Sequence, residues 1–156
     1  MKKQSGFTLI ELLLVLAIIG IISAIAIPAL LGQRARAKAK ATQSMVANVA
    51  GECARVNDTL KENAAVGATV TAQNVVDAVL LLSNFKTPAA KNPYGGTGAP
   101  YISGASATNG VVGLTANDNY VDKATARTYG AVVIGGQFLN PATNTTSTVT
   151  KVVALD

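Results

Sequence analysis

The sequence predicts an α+β protein in which a long N-terminal helix, half of it transmembrane, packs on a small antiparallel sheet. Three observations predict it. A run of apolar residues extends from Phe7 to Leu31, an apolar stripe at helical spacing follows it, and the C-terminal half holds three Val/Ile/Thr-rich runs separated by turn residues. At 156 residues there is room for one globular domain, built from about two-thirds of the chain.

From Phe7 to Leu31 the only charge is Glu11. About 25 residues of this kind are enough to cross a bilayer core of roughly 30 Å. A secretory signal peptide places its small-residue cleavage site after a shorter apolar run; here the small residue, Gly6, comes before it, so a cut there leaves the helix on the mature chain. Residues 1–6 then read as a removable leader and 7–31 as the membrane helix. An ionised Glu11 in hydrocarbon costs about 2.5 kcal/mol or more unless paired or held near the interface. No basic residue lies within helical reach inside the segment. The nearest candidate cation is the α-amino group freed by a cut before Phe7, and a second copy supplies it better than the same chain, whose helix would have to break. The plainer alternative is a Glu11 that snorkels to the interface. Gly20, Ser23 and Pro28 interrupt the run, and Pro28 removes a backbone hydrogen bond, so the stretch from Gly20 to Pro28 is its weak part.

Composition excludes much else. Of 13 basic residues, Lys2 and Lys3 precede the expected cut, leaving 11 against 8 acidic ones, too small an excess for a specific nucleic-acid surface. With no histidine and one cysteine the chain has no His-based triad, no His/Cys zinc site and no intramolecular disulfide. No cofactor and no enzymatic activity are expected.

After Gly32 the pattern turns polar, with Met45, Val46, Val49, Cys53, Val56 and Leu60 spaced three or four apart. The helix therefore continues to about Leu60, a rod of roughly 80 Å from Phe7, with residues 32–62 as its soluble half and 63–156 as the head. Arg34, Arg36, Lys38 and Lys40 form a collar suited to anionic lipid headgroups or to carboxylates of neighbouring copies. Cys53, on the apolar stripe, reads as a small buried hydrophobe. Thr71 is placed as N-cap of a short helix reaching about Asn84. Pro88 to Gly104 is turn-rich loop; its glycines lack the Gly-Lys-Ser/Thr context of a phosphate loop. Gly110–Thr115, Thr128–Phe138 and Thr146–Leu155 read as strands. Asn117-Asp118-Asn119 with Asp122 reads as a turn; Asp118 and Asp122 are weak Ca2+ candidates without the twelve-residue calcium loop.

The block Lys2-Lys3-Gln4-Ser5-Gly6 followed by Phe7-Thr8-Leu9-Ile10-Glu11-Leu12-Leu13 resembles the N-terminus of bacterial type IV prepilins and of type II secretion pseudopilins. The resemblance covers about the first 35 residues and implies the pilin fold. It implies cleavage between Gly6 and Phe7 by a prepilin peptidase, N-methylation of Phe7, and neutralisation of a neighbour's Phe7 amine by Glu11. Pro28 falls where the family has a proline, and Gly20 to Pro28 corresponds to a stretch often unwound in assembled pili. Flanking charge alone, two lysines before the helix against four basic residues after it, would put the head in the cytoplasm; the resemblance puts it outside. The expected role is a type IV pilus subunit, held in the bacterial inner membrane as a precursor and then part of an extracellular filament. Expected partners are other copies in a homopolymer, the prepilin peptidase, the inner-membrane assembly platform and membrane lipid. The alternatives are a pseudopilin, some of which hold Ca2+ near their C-termini, and a membrane-anchored binding module that never polymerises. Many pilins close their C-terminal region with a disulfide; this chain needs another closure, such as strand pairing.

Overall fold

A computed structural model describes residues 6–65, 68–82, 84–85, 91–96 and 98–155; Lys2, Lys3, Gln4 and Ser5 of the leader and Pro88 of the predicted loop lie outside them. The elements are α1 (Leu9–Asn63), α2 (Ala72–Leu81), β1 (Tyr101–Ser103), β2 (Val112–Val121), β3 (Thr128–Leu139) and β4 (Thr146–Ala154). The fold is α+β, with a long helix, apolar in its N-terminal part, packed on a four-stranded sheet. The chain divides into two compact units, Met1–Ala35 and Arg36–Asp156.

In the first unit α1 is Leu- and Ile-rich and continuous through Pro28, which has no N–H to offer the Ala24 carbonyl. In the second unit the same helix buries Ala39, Thr42, Val46, Val49, Ala50, Cys53 and Val56 on one face. The predicted stripe is therefore present, and it extends towards the N-terminus through two small residues. The helix lies close against β3, because a Cβ built on Gly136 would sit 2.7 Å from Val46 Cγ2 and 3.1 Å from Thr42 Cγ2. Helix and sheet touch there with no room for a methyl group. The buried Thr42 hydroxyl is satisfied by donating to the Lys38 carbonyl at 3.3 Å.

Thr71 caps α2 as its sequence predicts, Oγ1 accepting from the Asn74 amide at 3.4 Å, but the helix ends at Leu81, short of Asn84. Val75, Val76 and Val79 of α2 join Leu114 of β2 and Ile134 of β3, all fully buried, in one core. Each such side chain contributes about 1.5–3 kcal/mol through burial.

The sheet order is β1-β2-β3-β4, with β2-β3 and β3-β4 antiparallel as expected and β1-β2 parallel, so the sheet is mixed. Two expectations are corrected at its first edge. The Pro88–Gly104 stretch contains a strand, Tyr101–Ser103, and the following link doubles back over the sheet, its Gly104–Ser106 backbone lying against Gly113, so β2 starts beside the start of β1. Positive φ at Gly104 (92°) and Gly110 (78°) allows that reversal without a helical crossover. The strand predicted to end at Thr115 runs on to Val121 with a bulge between Asn117 and Tyr120; the turn lies at Asp122 to Arg127.

The C-terminus is closed by strand pairing. β4 pairs along β3 from Leu139–Thr146 to Ala131–Ala154, the Leu155 amide donates to the Gly130 carbonyl at 2.9 Å, and Lys61 Nζ donates to the Leu155 carbonyl at 2.9 Å. Tyr94 fastens the preceding loop to β3. Its hydroxyl accepts from the Leu139 amide at 3.1 Å and donates to the Leu139 carbonyl at 3.5 Å.

Candidate functional site

Phe7 and Thr8 precede the first turn of α1, and Phe7 is 83% exposed. Thr8 stands three residues before Glu11, and the two side chains form a reciprocal N-terminal cap. Glu11 Oε2 accepts from the Thr8 amide at 2.9 Å and from the Thr8 hydroxyl at 2.7 Å. The Thr8 hydroxyl oxygen in turn accepts from the Glu11 amide at 3.3 Å, and the first helical bond, Leu12 N–H to the Thr8 carbonyl, is 3.3 Å. Negative charge at this end also faces the positive pole of the helix dipole. Among the described residues Glu11 Oε1 accepts no hydrogen bond.

Sequence reasoning gave Glu11 a partner only in a second copy and missed the one in its own chain. The signal was present as Thr-x-x-Glu ahead of an apolar run.

Beyond Glu11, sixteen large apolar side chains from Phe7 to Leu31 are exposed on every side of the helix. A helix apolar all round needs cover from lipid or from other helices. This one is long and apolar enough to cross a membrane. Gly20 and Pro28 are both exposed on it, with open space where a Gly20 side chain would stand.

The remaining candidates lie apart from this segment. Lys38 of the collar sits with Nζ 5.5 Å from the Tyr94 ring centroid, so its charge is used in packing the head. The Asp118 carboxylate accepts the Ala72 amide at 2.8 Å, helping to cap α2 from across the fold. Asp122 accepts from the Thr125 hydroxyl at 2.7 Å and the Ala124 amide at 2.9 Å, bonds that hold its carboxyl below the usual range. Each aspartate thus serves the backbone, and among the described residues no group of three or more His, Cys, Asp or Glu is placed to hold a metal ion. A groove of about 510 Å³ beside α1, lined by Asn48, Glu52, Asn84, Phe85 and Tyr101, has one carboxylate, which pairs with Arg55 at 2.8 Å. Burial, helped by Glu52, pushes the Cys53 thiol up to about 12, so it is no nucleophile near neutral pH.

A long helix with a bare apolar N-terminal part, capped at its first turn and joined to a helix-on-sheet head, is consistent with the pilin fold. Comparison with known proteins gives the segment a name: residues 1–27 match the prokaryotic N-terminal methylation motif, the motif of prepilins. Two curated proteins of Pseudomonas aeruginosa, each described as a fimbrial protein, are 75% identical to the chain over 28 residues. That match covers 18% of this chain and 18% of each relative, so the likeness is confined to the N-terminal segment. No solved structure matches the chain.

Proposed function

We propose that the chain is a structural subunit of a type IV pilus. In this reading a prepilin peptidase cuts between Gly6 and Phe7, the new Phe7 amine is methylated, and the processed chain passes through the inner-membrane assembly platform into a filament of identical copies. The apolar helices then bundle as the filament core, with Glu11 of one copy pairing with the Phe7 amine of the next. The precursor waits in the inner membrane with its head outside the cytoplasm, and the collar at Arg34, Arg36 and Lys40 faces anionic headgroups. Gly20 and Pro28 mark the stretch that loosens on packing. The role is mechanical, without catalysis, cofactor or specific nucleic-acid binding.

The observation that carries this reading is the apolar surface exposed all round α1 from Phe7 to Leu31, most of it within the methylation motif. A lone membrane anchor explains the apolar surface but not the motif. The fimbrial descriptions of both relatives support a pilus over a secretion pseudopilus.

The test is to shear filaments from cells expressing the chain and determine the N-terminus of the subunit by mass. A methylated Phe7 terminus is expected. Glu11→Ala is expected to leave the membrane pool of chain intact and to abolish sheared filament; normal filaments from that variant would remove the pairing from the mechanism.

A further inference from the structure

We propose that Thr8 is the positioning residue of the assembly contact, holding Glu11 Oε2 so that Oε1 is the oxygen offered to the amine of the next copy. The inference rests on the pilus reading and adds a residue and an orientation to it. A glutamate side chain at a helix terminus has several rotamers, and in an apolar surrounding an unsatisfied carboxylate is costly. Here both Thr8 donors converge on one oxygen, at 2.9 and 2.7 Å, and leave the other without a partner among the described residues. The waiting subunit therefore keeps its carboxylate half satisfied, and the side chain is already held in one conformation before the neighbour arrives. That lowers the ordering cost of the contact, as preorganisation does in any association.

The plainer alternative is that Thr8 only caps α1. The hydrogen-bond pattern separates the two. The Thr8 hydroxyl both accepts from the Glu11 amide and donates to the Glu11 carboxylate. An asparagine caps a helix as well as threonine or better, but its capping oxygen has no proton to give. Serine retains both actions, and valine, close in shape, retains neither.

The experiment compares sheared filament yield for the full-length wild type, Thr8→Ser, Thr8→Asn and Thr8→Val, with the N-terminus of the membrane pool read by mass as a control for processing. Thr8→Ser is expected within about twofold of wild type. Thr8→Asn and Thr8→Val are expected to lose about tenfold, the size of one hydrogen bond to a charged group, with the membrane pool still cut at Phe7. Recovery by Thr8→Asn would reduce Thr8 to a cap, and wild-type yield from Thr8→Val would overturn the inference outright. Failure of the Thr8→Val pool to be cut would overturn it too, placing Thr8 in processing. A wild-type chain that yields no Phe7-terminated filament brings down the pilus reading itself.

Discussion

Two parts of α1 obey opposite rules. From Phe7 to Leu31 its large apolar side chains face outward on all sides, while from Ala39 to Val56 small and β-branched residues turn one face into a fully covered core. The first part is rich in leucine and isoleucine and uncovered by the described residues, and the second is rich in alanine, valine and threonine fitted against a sheet. A single continuous helix thus carries one segment stabilised by its own fold and one whose stability must come from lipid or from other copies.

The largest effect expected from this contrast is on solubility. A chain beginning at Arg36 keeps every buried core residue and should be monomeric and cooperatively unfolding without detergent, whereas the full chain should need detergent or lipid; size-exclusion chromatography with and without detergent distinguishes them. Next comes the core. Leu114→Ala, at a site with no exposure, should destabilise the Arg36 chain by about 2–5 kcal/mol in urea unfolding, while Leu16→Ala, on the exposed segment of the full chain, should leave head unfolding unchanged. A smaller loss is expected where helix and sheet touch. Gly136→Ala must push aside Val46 or Thr42 and should cost about 1–3 kcal/mol, and the companion Val46→Ala should recover part of it in the double variant.

The smallest effect concerns pH. Asp122 is exposed and its carboxyl is held below the usual range, so its contribution is present above the pKa of the unfolded chain and is lost as pH falls through the folded value. Asp122→Asn should lower the melting temperature slightly at pH 7, and the difference from wild type should shrink as pH falls through the lowered folded-state value. A difference that persisted in acid would assign the effect to the turn's shape and not to its charge.

Much of this was legible in the sequence, for reasons that explain the exceptions. Thr71, the strands beginning at Thr128 and Thr146, and the stripe through Val46, Val49 and Cys53 are set by local chemistry and period, and all are where the pattern placed them. Tyr101–Ser103 was hidden because three residues between Pro100 and Gly104 are too few to show alternation, and its pairing depends on a link that folds back over Gly113. Asn117-Asp118-Asn119 has turn composition, yet Asp118 is needed 46 residues away at the start of α2, a demand no local window contains. The Thr8–Glu11 pair is local and was legible as Thr-x-x-Glu, a capping pattern that the cost of a charge in an apolar run does not reveal.

The Tyr94 hydroxyl on both polar groups of Leu139, together with the pairing of β4, has a consequence for where the head can mature. These contacts are made by backbone groups and a phenol hydroxyl, with no disulfide among them, and the one thiol, Cys53, is buried in the core. Folding of the head is therefore indifferent to redox conditions. It needs no oxidant and no disulfide isomerase, and it should reach the same end state in a reducing cytoplasm-like buffer as in an oxidising periplasm-like one.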